Sequence, residues 1–191
     1  MFSQNADLFF EDPSVYRPPP GTYGILYLLR RDILTCLGRD PGSGQPIQHQ
    51  TLWPGAMAVL AGVDLLAKFL DGSDAPRKGG QRFRRFLGRY FDLVSADEEE
   101  TLYQLRNSLL HSFGLYSTHH GHTYRFTVTA DNGPLLCNAQ GDRYLIDLLT
   151  LHARFEAGVA NYRADLDTDA GLQANFGAVF PDYGTTRIGI L

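Results

Sequence analysis

The segment from Pro54 to Leu70 limits what this chain can fold into more than any other. Met57, Val59, Leu60, Val63, Leu65, Leu66, Phe69 and Leu70 make it apolar on most sides at helical spacing. A helix of that kind has no face to give to water, so it belongs at the centre with other elements packed around it. Pro54 suits a first helical position, where a missing N–H costs nothing. Asp64 and Lys68 interrupt the apolar run, leaving it short of the ~18 uninterrupted residues that mark a bilayer span.

The neighbouring segments supply helices to surround it. Ile25, Leu28, Leu29, Ile33 and Leu37 recur at helical spacing from about Tyr23 to Leu37, and Gly38 ends the run. A second run, from about Gln81 to Asp92, turns Phe83, Phe86, Leu87 and Tyr90 inward and its arginines outward. The fourth helix has the clearest start: Ser95 and Glu98 form a capping box, and Asp97 to Glu100 put acids where the helix dipole favours them. Leu102, Leu105 and Leu109 continue it as a core stripe, and Gly114 stops it. The period then falls to two. Tyr124 to Thr129 alternate with β-branched and aromatic residues, and Asp131-Asn132-Gly133-Pro134 is a turn. Helical spacing resumes from about Arg143 to Ala164, and a short helix is expected over 170–179.

These signals predict a mainly α fold, a bundle of about five helices with a small β-hairpin or three-stranded meander inserted over 115–137. The domain spans 22–179. Pro18-Pro19-Pro20 predict an extended arm over 1–21, and residues 180–191 are expected to be irregular. The 191 residues include 43% hydrophobic and 20% charged side chains, enough apolar content to exclude a disordered chain. Cys36 and Cys137 stand far apart and fit a reducing compartment rather than a disulfide framework. Met1 to Glu11 has no basic flank of a signal peptide. The expectation is a cytoplasmic protein without membrane contact.

Net charge is -4, which argues against a surface given over entirely to nucleic acid, although a local basic patch can still bind phosphate. Arg77, Lys78, Arg82, Arg84, Arg85 and Arg89 crowd one short stretch with Phe83 and Tyr90 between them. Arg82, Arg84, Arg85 and Arg89 are therefore candidates for RNA contact. The competing reading, a solvated helix face balanced by the acidic start of the next helix, is slightly favoured. His119, His120 and His122 surround Gly121. Without Cys, Asp or Glu at matching spacing they read as a polar turn, and no metal or cofactor is expected.

The chemistry concentrates in Arg106-Asn107-Ser108-Leu109-Leu110-His111. Asn107 and His111 are four apart and share a helix face. Arg106 and His111, five apart, are separated by roughly 140° on a straight helix, so they meet only if the arginine swings round or the helix loosens before Gly114. The plain alternative pairs Arg106 with Asp97, Glu99 or Glu100 and leaves His111 as a residue favoured by the helix C-terminus.

Arg106-Asn107-(three residues)-His111 resembles the arginine–x4–histidine signature of the HEPN superfamily (higher eukaryotes and prokaryotes nucleotide-binding domain), over residues of about 22–160. The resemblance implies an up-and-down helical bundle, a homodimer whose two signatures meet in one composite site, and metal-independent endoribonuclease activity. It makes Arg106 and His111 the catalytic pair and Asn107 a supporting polar group. The β segment after Gly114 departs from the minimal bundle of that family. A non-catalytic homodimer or partner subunit that binds nucleotide or RNA is the alternative.

Overall fold

The computed structural model describes residues 2–93 and 95–189. In chain order the elements are α1 (Phe2–Phe9), β1 (Gly21–Gly24), α2 (Ile25–Cys36), α3 (Leu52–Asp71), α4 (Gly79–Tyr90), α5 (Ala96–Ser112), β2 (Tyr116–His119), β3 (His122–Thr129), β4 (Leu136–Gln140), β5 (Arg143–Asp147), α6 (Leu148–Thr168), α7 (Ala170–Tyr183) and β6 (Thr185–Ile188). The expected mainly α bundle of about five helices with a small β insertion is thereby corrected. Seven helices and two sheets among the described residues make a mixed α/β fold, and one sheet has four strands.

The apolar segment does take the centre. α3 packs against α2, α4, α5, α6 and α7. At 20 residues it is long and apolar enough to cross a bilayer by length and composition, but Val59, Leu60, Val63, Leu66, Phe69 and Leu70 are buried in the protein's own core. Ser95 caps α5 as read from the sequence, its Oγ accepting from the Glu98 amide at 3.2 Å. α5 closes one residue before the expected glycine, with Phe113 in the left-handed region at φ 49°.

The larger sheet has the order β2-β3-β5-β4, with β3 and β5 parallel and the other two pairs antiparallel. β2 and β3 are joined through His120 and Gly121, both at positive φ (48° and 79°), the backbone a two-residue hairpin turn requires. Residues 143–147 were expected to open the long helix and instead form β5. Asp147 sets that boundary: its carboxylate accepts from the Thr150 amide at 2.8 Å, capping α6, and from the Asp131 amide at 2.8 Å, holding the turn after β3.

The expected extended arm over 1–21 is also corrected at both ends. α1 is helical and buries Ala6 and Phe9 in the core. Gly24 lets it dock, since an added Cβ there would lie 2.2 Å from the Leu8 carbonyl oxygen. The expected irregular tail begins inside α7 and continues as β6, which pairs antiparallel with β1 (Gly21↔Ile188 to Gly24↔Thr185).

An ion pair fastens this N-terminal half to α6. Arg30 on α2 donates from Nε to both Glu156 oxygens at 3.0 and 3.1 Å, and from Nη1 to the Glu11 carbonyl at 3.2 Å. His152 Nε2 lies 3.6 Å from Glu156 Oε1. Burial alone would push the Glu156 carboxyl up, but His152 and Arg30 outweigh it and bring it from 4.5 down to about 2. A carboxyl lowered by folding adds stability that is complete above 4.5 and is lost as pH falls through about 2. Glu156→Gln is expected to cost about 2–3 kcal/mol at pH 7. Urea midpoints against pH should show the gap to wild type closing between pH 4.5 and 2.

Candidate active site at the end of α5

Arg106 and His111 meet. Arg106 Nη1 lies 2.6 Å from His111 Nε2 and donates to Asn107 Oδ1 at 3.0 Å. The helix does not need to loosen for this; the long arginine side chain carries its guanidinium round to the histidine, covering the ~140° offset. An arginine N–H can only donate, so in this contact Nε2 is the acceptor.

The rest of the guanidinium is held from α3. Nε and Nη2 both reach Asp64 Oδ2 at 2.7 Å. This pairing replaces the partners considered from sequence, Asp97, Glu99 and Glu100. The Arg106 and Asp64 side chains are 14% and 19% exposed, whereas His111 is exposed, so the pair is anchored inside and its imidazole faces solvent. Burial pushes the Asp64 carboxyl above its ordinary range, and the bonds and charge of Arg106 only partly offset this. A groove of about 310 Å³, lined by Ile25, Leu29, Asp64, Leu65, Lys68 and Leu110, runs beside the ion pair.

Asp64 is the member of this candidate site that the sequence did not single out. The signal was present, because it is the one acid inside an otherwise apolar stretch, and such a carboxylate has to find a cationic partner.

The arginines of α4 are occupied in a different way. Arg82 is buried, and donates to the Ala75 carbonyl at 2.8 Å and to Asp74 at 2.7 Å. Arg84 pairs with Glu100 at 2.5 Å and lies 3.8 Å over the Tyr103 ring. Arg85 pairs with Asp71 at 3.3 Å and Arg89 with Asp165 at 2.7 Å. All four therefore tie α4 to other parts of the chain, and none converges on the Arg106–His111 pair. Among the described residues, no group of three or more His, Cys, Asp or Glu is arranged to hold a metal ion.

Comparison with known proteins matches no family model, and neither the curated proteins nor the solved structures give a significant match.

Proposed function

We propose that the chain is a metal-independent endoribonuclease of the HEPN type that acts as a homodimer through the end of α5. The observation that carries this reading is the 2.6 Å contact between Arg106 and a solvent-facing His111, with Asp64 and Asn107 fixing the guanidinium behind it.

RNA supplies its own nucleophile. His111 Nε2 takes the proton of a 2′-hydroxyl, the O2′–P bond forms, and the P–O5′ bond breaks. A second histidine, charged, gives its proton to the departing O5′. One chain provides one such histidine in this position, and a two-fold dimer provides both. Arg106 neutralises the charge that builds on the phosphorane oxygens. The geometry lets it do so without leaving its anchor: Nε and Nη2 stay on Asp64 while a phosphate oxygen replaces Nε2 as the acceptor for Nη1, freeing the imidazole to act as base.

The test is RNA cleavage in EDTA by the purified protein and by His111→Ala. Wild type is expected to cut, and the variant to be slower by about 100-fold or more. Two proteins equally inert on varied RNAs would sink the nuclease reading. They would leave a non-catalytic homodimer that binds RNA or nucleotide, a reading supported by the arginine already occupying Nε2.

A further inference from the structure

α5 ends on a residue that its backbone does not suit. The amides of Phe113 and Gly114 both close on the Ser108 carbonyl, the second at 3.0 Å, and Phe113 sits at φ 49°, ψ 34°. A left-handed backbone crowds a side chain's Cβ against the following carbonyl and is ordinarily left to glycine. α3 follows that rule, ending on Gly72 at φ 72°, ψ 13°. In α5 the glycine stands one position too late, and a phenylalanine takes the disfavoured conformation.

The fold gains nothing from that ring. Phe113 is 70% exposed, and its ring stacks on no other and meets no cation among the described residues. Buried phenylalanines repay their cost by leaving water; this one stays in it. A glycine would relieve the backbone and a polar residue would suit the solvent. A strained position that holds an exposed aromatic is accounted for by something the ring touches outside the chain.

Its place says what that is. His111, also exposed, is two residues back, so the two Cα atoms lie at most ~7 Å apart. We propose that Phe113 stacks an unpaired base of the RNA strand beside the linkage held at His111, which would confine the nuclease to single-stranded RNA. The inference rests on the ribonuclease reading for the identity of the ligand. Charge supports stacking as the means of holding the strand. Arg82, Arg84, Arg85 and Arg89 are each paired with an acid, and the chain carries a net charge of -4, so a grip built on many phosphate contacts has little to draw on. Every base has a flat face that an aromatic side chain can cover, and only an unpaired base can turn that face to the protein.

The probe is a short 2′-O-methyl oligomer, which cannot be cut by 2′-hydroxyl attack, offered single-stranded and annealed to its complement, with binding followed by fluorescence anisotropy. The wild type is expected to bind the single strand about tenfold more tightly than the duplex. Phe113→Gly should lose most of that difference while its thermal midpoint stays unchanged or rises, since glycine suits the left-handed backbone. Phe113→Trp should keep the preference. Trp53, exposed at the start of α3 and about 16 Å along its axis from Asp64, is the control, and Trp53→Ala should bind as the wild type does. Equal binding by wild type and Phe113→Gly, or no binding of the single strand by the wild type, overturns the proposal. So does a dimer that dissociates in Phe113→Gly on sedimentation, which would give the ring to a contact between copies. Because the probe is not cut, the two readings separate. Phe113-dependent binding by a protein inert on RNA removes the nuclease reading and leaves the stacking; an active nuclease indifferent to Phe113→Gly removes the stacking alone.

Discussion

Arg106→Ala is expected to lower RNA cleavage by about 100- to 1,000-fold and to destabilise the protein by about 3 kcal/mol at pH 7. Both effects come from one guanidinium. Its Nη1 edge would serve the proposed reaction, and its Nε–Nη2 edge neutralises Asp64. Removing it leaves a largely buried carboxylate without its cation. That carboxyl is already raised by burial in the intact protein, and without Arg106 it rises further. A carboxyl whose folded pKa is raised favours the folded state when protonated, and that contribution is lost as pH rises through the folded value. The deficit of Arg106→Ala should therefore be small near pH 4 and grow toward neutrality, the same direction as Glu156→Gln but displaced to a higher pH range. Adding Asp64→Asn removes the stranded charge, so the double variant should recover most of the stability and none of the cleavage. Urea unfolding at pH 4, 5.5 and 7, alongside cleavage rates for the single and double variants, separates the two roles. A double variant that regains cleavage would show that Arg106 acts only as a structural cation.

What the sequence made legible was local. The start of α5 could be read because Ser95 and Glu98 sit three residues apart and the cap they form involves no distant partner. The centrality of α3 could be read because its apolar residues leave no polar face. The sheet could not be read in the same way. Tyr144, Leu145 and Ile146 fit a helical stripe with Leu148, Leu149 and Leu151 as well as they fit a strand. The choice between them is made by pairing with β3 and by Asp147 holding the Asp131 amide, neither of which is local. β4 is harder still, since Cys137-Asn138-Ala139-Gln140 has little strand character of its own and is held by β5. The candidate site divides along the same line. Arg106, Asn107 and His111 lie in one short segment and could be singled out together. Asp64, 42 residues earlier, could be seen as an interruption of an apolar helix but not matched to its arginine. The α4 arginines stood out as a cluster, although each is bound to an acid that the fold brings from elsewhere.

The N-terminal segment gives the largest expected effect on stability away from the site. Phe9→Ala should cost about 3–5 kcal/mol, a large part of the roughly 5–15 kcal/mol that holds a domain folded, and lower the thermal midpoint by about 10 °C. The Phe9 ring is fully buried, 4.5 Å from Phe69 on α3, 5.6 Å from Phe176 on α7 and 5.0 Å from Phe10, centroid to centroid. Truncation therefore opens a cavity shared by three helices rather than trimming a surface. Tyr16, exposed between α1 and β1, is the control, and Tyr16→Ala should change stability by no more than about 0.5 kcal/mol. Urea denaturation at constant slope distinguishes the two; an extended arm lying over the surface would make both variants equally mild. α1 packs on α2, β1 and α7, while the Arg106–His111 pair is built from α3 and α5. Below its lowered midpoint, Phe9→Ala should therefore keep the cleavage rate of the wild type, so its loss of stability tests the fold of the N-terminus without touching the proposed chemistry.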